Sequence, residues 1–435
     1  MSEPLPEEVC TAIPGPRTIA LSAELRETES RNVTYLAADF PVFWQSAHGA
    51  NVVDVDGNRY IDLTGAFGVA NVGHTNPAVA AAIAAQAAKL MHAMGDVHPT
   101  EIKTRLLEKL ISITPDGLDK GFLASTGAEA VEAAMKTAML ATGKAAFAAF
   151  HGAYHGLSLG ALEVSGIPKF REPFQRVLPN RTLFLDYAAD PDSLRASLAL
   201  RADLAAVIVE PIQARAGCIL PPAGWLRALR AICDELQLLL IVDEIYTGFG
   251  RTGSMFACEY EGIIPDILCI GKAMANGFPI SAMLARTPIM NAWPISEGEA
   301  LHTSTYLGNP MACAAALATI AEIERLQLPH RASDFGAHLK SRLRAFESYS
   351  AVRAVRGRGL MWGIELGDGS IANTLVTQAL RHGVIVLQAG LRGEVISITP
   401  PLVIARFQLD RALDILESLT QRLDEPPAPR RTPKT

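Results

Sequence analysis

Four ionisable side chains stand just past the ends of apolar runs. Glu210 follows AAVIV, Asp243 follows LLLIV, Lys272 follows ILCIG and His151 follows AAFAAF. Such runs read as buried strands of a parallel sheet, which gathers its ligand sites at the C-terminal ends of its strands. Asp243 and Lys272 are therefore expected to converge from different strands onto one crevice. A fifth feature is Ser125-Thr126-Gly127-Ala128-Glu129, which follows GFLA and opens a helix. Small residues there let backbone N–H groups approach an anion, and the helix dipole favours negative charge. A phosphate cradle, a strand-end carboxylate and a strand-end lysine together fit pyridoxal 5'-phosphate. A lysine amine forms a Schiff base with its aldehyde. A carboxylate keeps its ring nitrogen protonated, so that the ring withdraws electrons. An aromatic side chain can stack on the ring. Of ten lysines, Lys272 is singled out because it leaves a buried run between Gly271 and Ala273.

The elements that must position these residues alternate. VVDVDGNRYIDL (52–63) reads as a β-hairpin around Asp-Gly-Asn. Helical spacing runs through 78–93, 129–140, 225–237 and 309–326, the last long enough to leave the domain it starts in. AAFAAF (145–150), AAVIVE (205–210), LLLIVDE (238–244) and DILCIGK (266–272) are the buried strands. This alternation predicts a mainly parallel sheet covered on both faces. VRGRGLMWGIEL, IANTLVTQALRHG and VIVLQ predict strand, helix and strand in a smaller α+β domain. The first seventeen or so residues are Pro-rich and expected to be flexible, and DEPPAPRRTPKT is expected to be a frayed tail.

Composition narrows the function classes. The chain has 435 residues, a net charge of −6, 19 % charged and 49 % hydrophobic residues. That length predicts about three domains, or one large α/β fold with an appendage. A mildly acidic chain without basic blocks is a poor match to nucleic acid. Its apolar runs are too short to span a membrane, and MSEPLPEEVC is unlike a signal peptide. No two of the six cysteines form a CxxC, so no metal site is expected, and the thiols suit a reducing cytoplasm.

LLLIVDEIYTGFGRTG (238–253) followed by PDILCIGKAMANGFPISA (265–282) resembles the class III aminotransferases. These are the ω-amino acid, ornithine and 4-aminobutyrate transaminase group of fold-type I pyridoxal-phosphate enzymes. VDVDGNRYIDL, GHTNP, STGAEAVEAAMK, AYHG, EPIQ, TSTYLGNP, VRGRGL and PPLVI match further, in family order, from roughly residue 40 to 420. The resemblance implies that Lys272 forms the Schiff base and later shuttles a proton. It implies that Asp243 pairs with the ring nitrogen, and that Ile245 and Tyr154 flank the ring. Ile245 is expected to face the Asp243 side as the second residue on in an extended strand. The N–H groups of Gly127 and Ala128, with the Thr126 region, take the phosphate. Thr305 resembles the family threonine that reaches the phosphate bound by the other subunit, which implies a homodimer with shared sites.

Departures from the family concern the substrate. The family glutamine that contacts the cofactor's ring hydroxyl is Tyr246 here; its phenol could replace that bond or turn away. An arginine of 4-aminobutyrate transaminases is Leu157. The gate glutamate of the EPIQ segment is Arg215, and the arginine before PPL is Ser397. Arg215 is therefore the candidate carboxylate contact.

The expected fold is an α/β fold-type I architecture. A large domain (66–310) carries the sheet. A smaller α+β domain combines the N-terminal segment (1–65) with residues 311–423, and 424–435 form the tail. The expected reaction is ping-pong amino transfer from an amine or amino acid to a 2-oxo acid or aldehyde. An aminomutase, racemase, decarboxylase or lyase on the same scaffold is the alternative. A non-catalytic cofactor-binding homologue is the other, and the presence of both Lys272 and Asp243 argues against it.

Overall fold

The computed structural model describes residues 3–424. The predicted tail, 424–435, lies outside the described residues but for its first. Seven strands make the central sheet: β4 (Lys120–Ala124), β5 (Ala146–Phe150), β6 (Leu183–Leu185), β7 (Leu204–Val209), β8 (Leu239–Asp243), β9 (Ile267–Ile270) and β10 (Ser281–Ala285). Their order is β4-β10-β9-β8-β7-β5-β6. Strands β6, β5, β7, β8 and β9 pair in parallel, and β10 runs antiparallel between β9 and β4. Every residue of β5, β7 and β9 is buried. That is why these strands read as unbroken apolar runs rather than as alternating ones.

Two four-stranded sheets flank this core. The first comprises β1 (Trp44–His48), β2 (Asn51–Asp54), β3 (Arg59–Asp62) and β13 (Val384–Ile385). Strands β2 and β3 are the expected hairpin. The second comprises β11 (Val352–Arg358), β12 (Met361–Leu366), β14 (Leu387–Ala389) and β15 (Val395–Ile398). Two expectations are corrected here. VRGRGLMWGIEL is not one strand but the hairpin β11–β12, turned at Gly359, whose φ is +57°. VIVLQ is divided between β13, which pairs with β3, and β14, which pairs with β15.

The N-terminal segment is a third correction. Leu5 N–H donates to Asn51 Oδ1 at 3.1 Å, Cys10 N–H to Asn58 Oδ1 at 2.8 Å, and Arg59 pairs with Glu8 at 2.6 Å. Residues 5–10 thus lie along the β2–β3 hairpin, and a helix begins already at Pro16. Proline content signals the lack of regular structure, but not the lack of partners.

The segments are tied together beneath the site. Arg251 is fully buried and donates to the carbonyls of Leu360 and Pro400 and to Asn71 Oδ1. The helix Pro310–Arg325 starts where Asn309 Oδ1 accepts from the N–H groups of Met311 and Ala312, with proline at its first position.

Candidate active site

A cleft of about 630 Å³ is lined by Glu210, Asp243 and Lys272, residues at or just beyond the C-terminal ends of β7, β8 and β9. Thr64 and Phe67 line it from the N-terminal side, and Gln388 and Ser397 from the C-terminal sheet. The fourth strand-end residue behaves differently. His151 stacks on Phe184 at 5.8 Å and does not line the cleft.

Asp243 is 5 % exposed and held on both oxygens. Oδ1 accepts from Ile245 N–H at 3.0 Å, and Oδ2 lies 2.8 Å from His155 Nδ1. A carboxylate only accepts, so Nδ1 carries the proton of this bond. His155 Nε2 is buried and has no hydrogen-bond partner among the described residues. The Ile245 bond closes a turn at the end of β8, so Ile245 sits in that turn and not in an extended strand as expected. The turn still delivers it to the cleft wall.

Glu210 is buried and accepts from the N–H groups of Tyr154 at 2.8 Å and Ala214 at 3.3 Å. Burial raises its pKa to about 7; His155 opposes the shift and Asp243 adds to it. Lys272 has φ +46°, a left-handed conformation uncommon for a side-chain-bearing residue, at the start of a tight turn after β9. Its amine is pushed below its ordinary pKa by burial, against the pull of Asp243 and Glu210.

The anion cradle is built by capping. Thr126 Oγ1 accepts from Glu129 N–H at 3.3 Å, and Glu129 Oε2 accepts from Ser125 N–H at 2.7 Å. Among the described residues, nothing accepts from the N–H groups of Gly127 and Ala128, which open the sixteen-residue helix Gly127–Thr142. Both residues line the cleft; Thr126 caps the helix and does not. A Cβ on Gly127 would lie 2.9 Å from Ile245 Cδ1. Tyr154 lines the cleft and packs edge-on to Phe170 at 5.8 Å. Two free N–H groups beside a buried carboxylate, an amine and an aromatic ring fit pyridoxal 5'-phosphate.

The sequence profile of the class-III aminotransferases matches residues 34–419. This chain belongs to that family. The aminotransferase is 41 % identical over 391 residues to an acetylornithine aminotransferase of Methanosarcina mazei, covering 90 % of this chain and 95 % of the relative. It is 38 % identical over 392 residues to a putrescine aminotransferase of Pectobacterium atrosepticum, covering 88 % and 83 %. Its fold is similar to that of an ornithine aminotransferase of Toxoplasma gondii. The TM-score is 0.86 at 29 % identity, over 93 % of this chain and 95 % of that one. An amine transaminase from an uncultivated Pseudomonas species, with pyridoxal phosphate bound, gives a TM-score of 0.82 at 31 % identity, over 91 % and 98 %. The aminotransferase is thus a fold-type I enzyme that uses pyridoxal phosphate for transamination. Among its described residues, no helix is long and apolar enough to cross a membrane.

The departures from the family fall as follows. Leu157, Arg215 and Ser397 line the cleft. Among the described residues, no carboxylate lies within 4 Å of the Arg215 guanidinium. Glu394 does not pair with it, and instead accepts from Arg392 N–H at 2.8 Å. Thr305 is exposed and does not line the cleft of its own chain. His155, which lines the cleft and meets Asp243, was not singled out by its sequence pattern. It stands inside the matched AYHG segment, where only Tyr154 received a role.

Proposed function

We propose that this aminotransferase holds its cofactor between Tyr154 and Ile245, with Lys272 as the covalent anchor and Asp243 on the ring nitrogen. One observation carries the reading: β4, β8 and β9 bring two free N–H groups, a buried carboxylate and a lysine to one cleft. When bound, the cofactor supplies an electron sink at the carbon bearing the transferred nitrogen. Gly127 and Ala128 bind its phosphate at the positive end of their helix. Asp243, fixed by His155 and Ile245, holds a proton on the ring nitrogen. Lys272 Nζ, below its ordinary pKa, would carry a proton from the substrate carbon to the cofactor carbon that takes the nitrogen, and would carry one back the other way in the second half of the transfer. The reaction is ping-pong, from a primary amine or amino acid to a 2-oxo acid or aldehyde. A panel of amines against pyruvate and 2-oxoglutarate, followed in the cofactor's visible absorption, tests it. A donor that bleaches the absorption alone and an acceptor that restores it are the expected pair.

Arg215 is proposed as the carboxylate contact. A guanidinium without an acidic partner in a cleft is ready for a bidentate carboxylate. Ser397 and Leu157 stand where the family pattern has arginines, so no second arginine is at hand among the described residues of the cleft and a small 2-oxo acid such as pyruvate is favoured over 2-oxoglutarate. Truncating one partner of such a pair costs about 2 kcal/mol or more. Arg215→Ala should therefore raise KM for the carboxylate-bearing partner about thirtyfold, with little effect on a neutral amine. Equal effects on both substrates, or a wild-type preference for 2-oxoglutarate, would contradict the assignment.

The working unit is proposed to be a homodimer with shared sites. Leu90, Met91, Met94 and Val97 are exposed, as is Tyr306. The two loops are joined by Asn309 Nδ2 donating to Met91 O at 3.2 Å and by His92 against Tyr306 at 5.5 Å. Thr305 is exposed and precedes Tyr306, which supports a place for it at an interface. Mixing Lys272→Ala with Thr305→Val subunits leaves one hybrid site with both lesions and the other with neither. Activity should rise above that of either parent. Verified hybrids without recovery would place Thr305 in its own subunit's site or away from the phosphate.

The division into 1–65 with 311–423 against 66–310 is supported by the pairing of β13 with β3. A cytoplasmic location is supported by six free cysteines, five of them buried.

A further inference from the structure

We propose that Tyr246 is a positioning residue for Lys272: its ring face seats the lysine ammonium that exists while a proton rests on Nζ. The inference rests on the role given to Lys272 above. Nζ stands 4.5 Å from the Tyr246 ring centroid, over its face. An ammonium at that range is attracted by the negative face of the ring, and most strongly where water is excluded.

The phenol end is tethered away from the lysine. Its oxygen lies 3.3 Å from Thr399 Oγ1, and Thr399 Oγ1 donates its own proton to Thr64 O at 3.0 Å. A hydroxyl has one proton, so Thr399 must accept from Tyr246, and the phenol is the donor. The chain continues inward. Thr64 gives both its N–H and its hydroxyl to Asp62 Oδ1, at 2.7 and 2.6 Å, and Asp62 Oδ2 meets His74 Nε2 at 2.7 Å. The ring edge lies against Gly68, where a Cβ would be 2.7 Å from Tyr246 Cε1 and where φ is +69°. Tether and glycine together fix the ring plane beneath the lysine.

Burial raises the phenol to about 12, so Tyr246 stays neutral and offers its π face rather than a phenolate. The charged groups acting on Lys272 are Asp243 on β8 and Glu210 after β7. Those acting on Tyr246 are Arg251 and Asp62, with the Cys218 thiol. When Nζ takes the proton of the substrate carbon, it becomes a cation in a site that disfavours cations. The ring offsets part of that cost without a counter-anion that would hold the proton too tightly to release. An amide at this position could hydrogen-bond the cofactor, but has no such face.

The test reads Lys272 in the cofactor-free protein. Trace labelling with acetic anhydride across a pH series, with the Lys272 peptide quantified by mass spectrometry, gives the midpoint of its amine. Losing a stabiliser of the ammonium lowers that midpoint. Tyr246→Leu should lower it by about one pH unit, whereas Tyr246→Phe, which keeps the ring, should stay near wild type. In the loaded enzyme, Tyr246→Leu should slow single-turnover deprotonation with unchanged dependence on donor concentration. Should Tyr246→Leu fail to fold, Tyr246→Met carries the same expectation. A wild-type midpoint without the ring, or a fall in Tyr246→Phe as large as in Tyr246→Leu, overturns the inference. Failure of the Lys272 assignment would read out separately, as a reduced cofactor adduct on another lysine.

Discussion

Lys272→Ala should abolish turnover while the protein still takes up cofactor. Two functions are lost at once: the covalent anchor and the group that moves the proton. The loss should exceed the roughly 10²–10⁴-fold typical of removing a general base alone. Binding should survive in part, because the N–H groups of Gly127 and Ala128 and the Asp243 carboxylate remain. Lys272 starts a tight turn with φ +46°, and alanine there keeps the backbone path. Equilibrium dialysis with pyridoxal phosphate checks retention, and the amine panel checks turnover. Residual transamination above the rate of free cofactor would show that another group moves the proton.

Asp243→Asn should fold and lose about 10²–10³-fold in kcat, the scale of losing a preorganised electrostatic partner. The amide is close to isosteric, and its oxygen can still accept from Ile245 N–H or from His155 Nδ1. A neutral group cannot hold the ring nitrogen protonated, so the electron sink weakens. Circular dichroism should match wild type while the donor half-reaction slows. Undiminished transamination would mean that Asp243 does not face the ring nitrogen.

Much of this site was legible because its logic is one-dimensional. A parallel strand buried on both faces is an apolar run, and the residue that ends the run marks the sheet edge where ligands bind. Glu210, Asp243 and Lys272 obey that logic. His151 obeys its sequence pattern but not its geometry. The chain turns at Gly152, with φ +82°, and His151 is left stacked on Phe184 while His155 enters beside Asp243. Nothing local distinguishes those two histidines. The packing of residues 5–10 on the β2–β3 hairpin depends on the side-chain amides of Asn51 and Asn58, partners more than forty residues away. Tyr246 is the same kind of case. The sequence does not say where its phenol goes; it is held by Thr399, 153 residues on, and beside the missing side chain of Gly68.

The most direct test of the account is to reduce the wild-type enzyme, loaded with pyridoxal phosphate, with borohydride and map the adduct by peptide mass spectrometry. The visible absorption of the loaded enzyme should disappear on reduction. One pyridoxyl group per chain is expected, on the peptide containing Lys272. An adduct on any of the nine other lysines, or an enzyme that is active with no reducible adduct, would contradict it.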